Sequence, residues 1–126
     1  MHHSHPQLTE GEWAIMRALW ENEPAAAPTI QEMLAEPKGW SYSTVKTMMD
    51  RMVAKGLLTM EKIRNLTLYR SAISPAAAQK REVLTAVRRA FDGAMTPMMQ
   101  FLLESQDLSE QQLDELEAMI KAKRKK

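Results

Sequence analysis

A mainly α fold with a small β-hairpin is predicted by three features of this 126-residue sequence. Apolar residues recur at three- and four-residue spacing along most of the chain, the period shortens to strand-like alternation only between Leu58 and Arg70, and prolines and glycines separate the periodic stretches. With 44% hydrophobic and 26% charged residues the chain has a globular balance and can support a core. It contains no cysteine, so disulfides, thiolate metal sites and cysteine nucleophiles are all excluded and folding must rest on burial.

Thr9 and Glu12 have the spacing of a capping box, which predicts a first helix with Trp13, Met16 and Trp20, flanked by Ile15 and Leu19, on its apolar face. Pro24 ends it. A second helix can start at Pro28, whose missing N–H costs nothing in a first turn; it carries Ile30, Met33 and Leu34 inward and stops at Pro37 and Gly39. Ser41 is the expected N-cap of a third helix, with Val45, Met48, Met49, Met52 and Val53 on one face and Gly56 as its left-handed stop. Its opposite face, Ser43, Lys46, Thr47, Asp50 and Arg51 with Thr44 at the margin, is polar, short and net positive.

Leu58 to Lys62 and Leu66 to Arg70 read as strands of a hairpin around Ile63, Arg64 and Asn65, with Asn65 expected to take the positive φ of the turn. From Pro75 onward Leu84, Val87, Phe91, Met95, Met98 and Leu102 recur at helical spacing. Gly93 and Pro97 divide that run into two helices. Ser109 and Gln112 form a second capping box, opening a last helix with Leu113, Leu116, Met119 and Ile120 on one side.

Charge is distributed unevenly. Residues 1–40 carry a net −4, residues 41–90 a net +7 from ten basic and three acidic side chains, and residues 91–126 a net −2. A positive segment covering the third helix and the hairpin is the footprint of a nucleic-acid face. Three helices followed by a two-stranded hairpin is the winged helix-turn-helix arrangement, in which the third helix enters the major groove and the hairpin flanks it. The expected domains are a winged helix-turn-helix DNA-binding domain at 7–72 and a C-terminal helical dimerisation segment at 73–126. The expected DNA contacts are Ser41, Ser43, Thr44, Lys46, Thr47 and Arg51 on the helix and Lys62 and Arg64 on the wing. The expected dimerisation set is Leu84, Val87, Phe91, Met95, Met98, Leu102, Leu113, Leu116 and Ile120, an apolar set too large to leave exposed on a monomer.

Trp40-Ser41, Thr44-Val45-Lys46-Thr47, Arg51-Met52-Val53, Lys55-Gly56-Leu57 and Leu68-Tyr69 resemble the penicillinase-repressor (BlaI/MecI/CopY) family, as do Leu8 to Trp13, Leu19-Trp20 and Phe91-Asp92-Gly93. The resemblance runs from about Leu8 to Ile120. It implies a homodimeric repressor on a pseudo-palindromic operator, with a membrane sensor protease as the partner that relieves repression. This chain departs from the family in three places. Family wings carry glycine then arginine after the lysine matching Lys62, where this chain has Arg64 and Asn65; the cysteines of copper-responsive members are missing; and the Asn-Phe bond cut in β-lactam-responsive members is matched inexactly by Gln100-Phe101.

His2, His3 and His5 could converge on a divalent metal but read as a chain end, so no cofactor and no metal are expected. The methionines and Trp13, Trp20 and Trp40 read as packing residues. No nucleophile, metal set or phosphate loop supports an enzyme. With no apolar run of spanning length and no signal peptide, the chain is expected to be cytoplasmic with no membrane insertion. The alternative is a winged-helix protein-interaction module, which would place apolar residues on the outward face of the third helix, where the sequence has polar ones.

Overall fold

The computed structural model describes residues 8–125, which leaves His2, His3, His5 and Gln7 outside it. The order is α1 (Glu10–Asn22), α2 (Ala27–Lys38), α3 (Tyr42–Ala54), β1 (Leu58–Ile63), β2 (Leu66–Ser71), α4 (Pro75–Phe91), α5 (Met95–Ser105) and α6 (Glu110–Arg124). It is a winged helix-turn-helix fold followed by further helices. Two compact units divide at Thr85/Ala86, inside α4.

In the first unit the capping box at Thr9 and Glu12 is formed on both sides, with bonds of 2.9 and 3.1 Å. Ile15, Met16 and Leu19 of α1, Ile30 of α2, Val45, Met49 and Met52 of α3, and Leu57, Leu58 and Tyr69 of the wing are almost entirely buried. Each such side chain contributes roughly 1.5–3 kcal/mol over its exposed state, so α1, α2, α3 and the hairpin stand or fall as one core. Met33, expected inward, is 37% exposed. The buried stripe of α2 is Ala27, Ile30 and Leu34, and Met33 lies at its edge. Pro28 sits in the first turn of α2, and Gly39 (φ 68°) caps its end with a bond to the Ala35 carbonyl.

Ser41 caps α3 as expected. At its other end Gly56 (φ 83°) donates to Val53 and Leu57 donates to Met52, the paired bonds of a Schellman motif. Only a residue free to enter the left-handed region closes that motif without strain, and the chain leaves it directly into β1. The hairpin pairs Leu58 with Ser71 through Ile63 with Leu66, so the loop is two residues, Arg64 and Asn65, and not the expected three. The positive φ falls on Arg64 (60°), not on Asn65. A two-residue loop with positive φ at its first position follows the twist of the strands, and Arg64 accepts the strain.

The wing is tied down by contacts the sequence did not disclose. Tyr69 exchanges both backbone hydrogen bonds with Ala25 in the α1–α2 turn, at 3.1 and 2.8 Å. The Glu23 carboxylate accepts from the Ser71 amide at 2.7 Å and from its hydroxyl at 2.9 and 3.0 Å. A two-stranded hairpin is marginal alone, and these bonds give β2 a second neighbour besides β1. The first turns of α4 belong to this unit: Trp20 donates to the Ile73 carbonyl at 3.0 Å and Trp13 to Glu82 at 2.8 Å.

In the second unit α4 stops at Phe91 because Asp92 (φ 52°) and Gly93 (φ 84°) are both left-handed. The run divides into two helices at this point, as expected, but Gly93 makes the break and Pro97 does not. Pro97 lies in the first turn of α5, where its missing N–H is not needed. The Phe91 and Phe101 rings lie 6.5 Å apart, and the Ser109/Gln112 capping box opens α6. Among the described residues, no helix is long and apolar enough to cross a membrane.

Candidate nucleic-acid interface

The third helix presents a polar face because its apolar positions are committed to the core. With Val45, Met49 and Met52 inward, the same 3.6-residue period turns Ser43, Thr44, Thr47, Asp50 and Arg51 to the exposed side. Ser41 is exposed, but its hydroxyl accepts from the Thr44 amide at 3.2 Å and contacts the Ser43 and Thr44 hydroxyls at 3.2 and 3.1 Å. Its main work is to start the helix. Short hydroxyl side chains at this end let another surface approach the backbone closely, while Arg51, one turn from the C-terminus, extends from the same face.

Lys46 is not a free cation on this face. Its ammonium donates to both oxygens of Asp50, at 3.0 and 2.8 Å, and to the Tyr69 hydroxyl at 3.0 Å. The Tyr69 hydroxyl donates in turn to Asp50 Oδ1 at 2.7 Å. The Asp50 carboxylate, then the Tyr69 hydroxyl, hold the Lys46 ammonium well above the usual lysine range. Partial burial alone would raise the Asp50 carboxyl, but the bonds from Lys46 and Tyr69 hold it below its ordinary value. Burial pushes the Tyr69 phenol up. Neither Asp50 nor Tyr69 was expected as a site residue. The i,i+4 spacing of Lys46 and Asp50 could have signalled the pair, whereas Tyr69 arrives through strand register that no local pattern encodes.

Between α3 and the wing runs a cleft of about 530 Å³ lined by Lys46, Asp50, Val53, Met60, Lys62 and Thr67. Lys62 brings a second cation to it from β1, paired across the hairpin with Thr67. Arg64 stands exposed at the wing tip between Ile63 and Leu66, which are 48% and 50% exposed. The structure thus brings Ser43, Thr44, Lys46, Thr47 and Arg51 onto one helix, with Lys62 across the cleft and Arg64 at the end of the hairpin.

Of the residues expected to form a dimer, Val87 and Met98 are already buried within one chain, and Phe91 and Leu116 are half-buried. Leu84, Met95, Leu102, Leu113 and Ile120 are exposed, at 37%, 49%, 41%, 41% and 58%. Within the second unit α5 and α6 flank an open groove of about 460 Å³ lined by Met99, Leu103, Leu116, Met119 and Ile120, with Lys123 and Arg124 at its rim.

The family model described as penicillinase repressor matches residues 8–122. The methicillin resistance regulatory protein MecI of Staphylococcus aureus (strain N315) is 23% identical over 117 residues, covering 93% of this chain and 95% of that protein. The penicillinase repressor of Bacillus licheniformis is 24% identical over 111 residues, covering 88% and 87%. Among solved structures, the DNA-binding domain of the repressor BlaI is similar with a TM-score of 0.52 at 25% identity, covering 58% of this chain and 89% of that one. The Bacillus licheniformis BlaI monomer in complex with the blaP half-operator is similar with a TM-score of 0.51, at the same identity and coverage.

Proposed function

The chain belongs to the penicillinase repressor family, and from that premise we propose that it is a homodimeric transcriptional repressor that reads a pseudo-palindromic operator with α3. Its membership makes it a DNA-binding repressor of the BlaI/MecI type, a family of regulators and not of enzymes. The observation that carries the finer reading is the outward face of α3, where hydroxyls and Arg51 stand exposed beside a basic wing. Ser43, Thr44, Thr47 and Arg51 meet base edges or phosphates in the major groove, Lys46 joins them on release from Asp50, and Lys62 and Arg64 take backbone phosphates. Residues 73–126 form the dimer, covering the apolar side chains that one chain leaves exposed.

Selection of duplexes from a randomised library by the wild-type protein tests this reading. A pseudo-palindrome should be enriched, and its binding should weaken by roughly 1–3 kcal/mol in the Arg51→Ala variant if Arg51 grips a guanine bidentately. No enrichment, or unchanged binding in that variant, moves the recognition surface elsewhere. Release of the operator is proposed to follow cleavage between Gly93 and Phe101 by a membrane sensor protease, which separates the halves of the dimer and removes the gain from engaging two half-sites at once. Induction of cells with a β-lactam should then yield a shorter N-terminal fragment on an immunoblot, and derepression with an intact chain would refute it.

A further inference from the structure

Asp50 does not suit a surface built only to attract phosphate. It is the single acidic side chain of α3, it stands among the proposed base-reading residues, and its carboxylate would repel the DNA backbone. Its position makes sense through Lys46. The carboxylate grips the ammonium with both oxygens at 3.0 and 2.8 Å, which leaves that part of the face electrically neutral. The grip is itself held from below by Tyr69, which is fully buried, fixed to Ala25 through both backbone groups, and bonded through its hydroxyl to both charged partners. The Lys46 ammonium also lies 5.8 Å from the centre of the Tyr69 ring. Lys46 and Asp50 line one side of the cleft between α3 and the wing, and Lys62 lines it as well.

A free lysine here would neutralise phosphate on any duplex and tighten non-specific and specific binding alike. A lysine already paired releases no counterion until it changes partner, and the change is favourable only where DNA brings a phosphate or guanine edge within reach in the correct register. We propose that Asp50, clamped by Tyr69, is a specificity-determining residue that withholds Lys46 from non-specific DNA and yields it to a correctly seated operator. This rests on the DNA-binding reading above.

Anisotropy titrations of the full chain between about 50 and 200 mM salt test the proposal, using a duplex enriched by the wild type and a scrambled duplex of equal length. Asp50 is about half exposed, so Asp50→Asn leaves the core intact, and melting curves check this. Asp50→Asn should bind the scrambled duplex about 3- to 10-fold more tightly, with a log–log salt slope steeper by about 0.9, the value for one added phosphate contact, while the enriched duplex changes less. Tyr69→Phe keeps every charge and should move selectivity the same way more weakly. Adding Lys46→Ala to Asp50→Asn should erase the gain. An equal rise on both duplexes would make Asp50 a general repulsive charge, and a loss on the enriched duplex alone would make it an acceptor for a base; each overturns the proposal, as does no change on either. If the wild type shows no salt-dependent binding to any duplex, the DNA-binding reading fails and the proposal fails with it.

Discussion

At Glu12, burial and pairing act in opposite directions. Burial alone would raise its carboxyl, but Lys55 at 2.6 Å and the Thr9 amide at 2.9 Å hold it below the ordinary 4.5. The pair joins the start of α1 to the end of α3, and Lys55 is about 40% exposed, so screening limits its worth. Glu12→Gln can keep the bond to the Thr9 amide and loses the charge pair, so it is expected to cost about 1 kcal/mol near neutral pH. Because the folded value is the lowered one, this contribution is complete above about pH 4.5 and is lost as pH falls through the folded value. Denaturant melts at several pH values should show the gap between the two proteins closing on the acid side; a constant gap would assign it to packing. Arg64 is a second residue under load. Its φ of 60° costs an L-residue about 1–2 kcal/mol and the added unfolded-state entropy of glycine takes back about 0.5–1, so Arg64→Gly should raise hairpin stability by about 0.5–1 kcal/mol. The same variant should lose about 0.9 from the salt slope of DNA binding if Arg64 holds a phosphate.

Among the elements, the passage from α3 into β1 couples the proposed reading helix to the wing. Gly56 closes it in the left-handed region at φ 83°. Gly56→Ala should therefore cost about 1–2 kcal/mol, seen as a lower urea midpoint with an unchanged slope. This junction was legible in the sequence, as were both capping boxes, since each depends on residues within five positions of one another. The core faces of α1 and α3 were legible through period alone. Met33 was misplaced because a helical period gives the centre of an apolar stripe and not its width. The hairpin was recognised, but its loop length was not, because Ile63 is apolar at a tip where no core lies beneath it and nothing local distinguishes it from a turn residue. The Ala25 bridge and the Glu23–Ser71 bonds join residues more than forty positions apart, beyond any local signal. The candidate site shows the same division: the polar face of α3 follows from spacing, while the clamp on Lys46 depends on Tyr69 arriving from β2.

For the whole molecule, the unmatched quantity is apolar surface in the second unit. Ile120 and Phe101 are each 58% exposed and Met119 is 65% exposed, a density that suits an interface better than a monomer surface. Ile120→Glu should shift a dimer toward monomer in analytical ultracentrifugation at micromolar concentration and weaken binding to a full operator far more than to a half-site. Monomeric behaviour of the wild type at that concentration would refute the dimer. In the proposed repressor two copies of α3 read one duplex. Chemical footprinting of the enriched duplex with the wild-type chain tests this most directly. Two protected major-groove patches on one face, separated by about 10 base pairs or a multiple of that, with one position lost symmetrically from each patch in Arg51→Ala, is the predicted result. A single patch, or protection unaffected by Arg51, would contradict it.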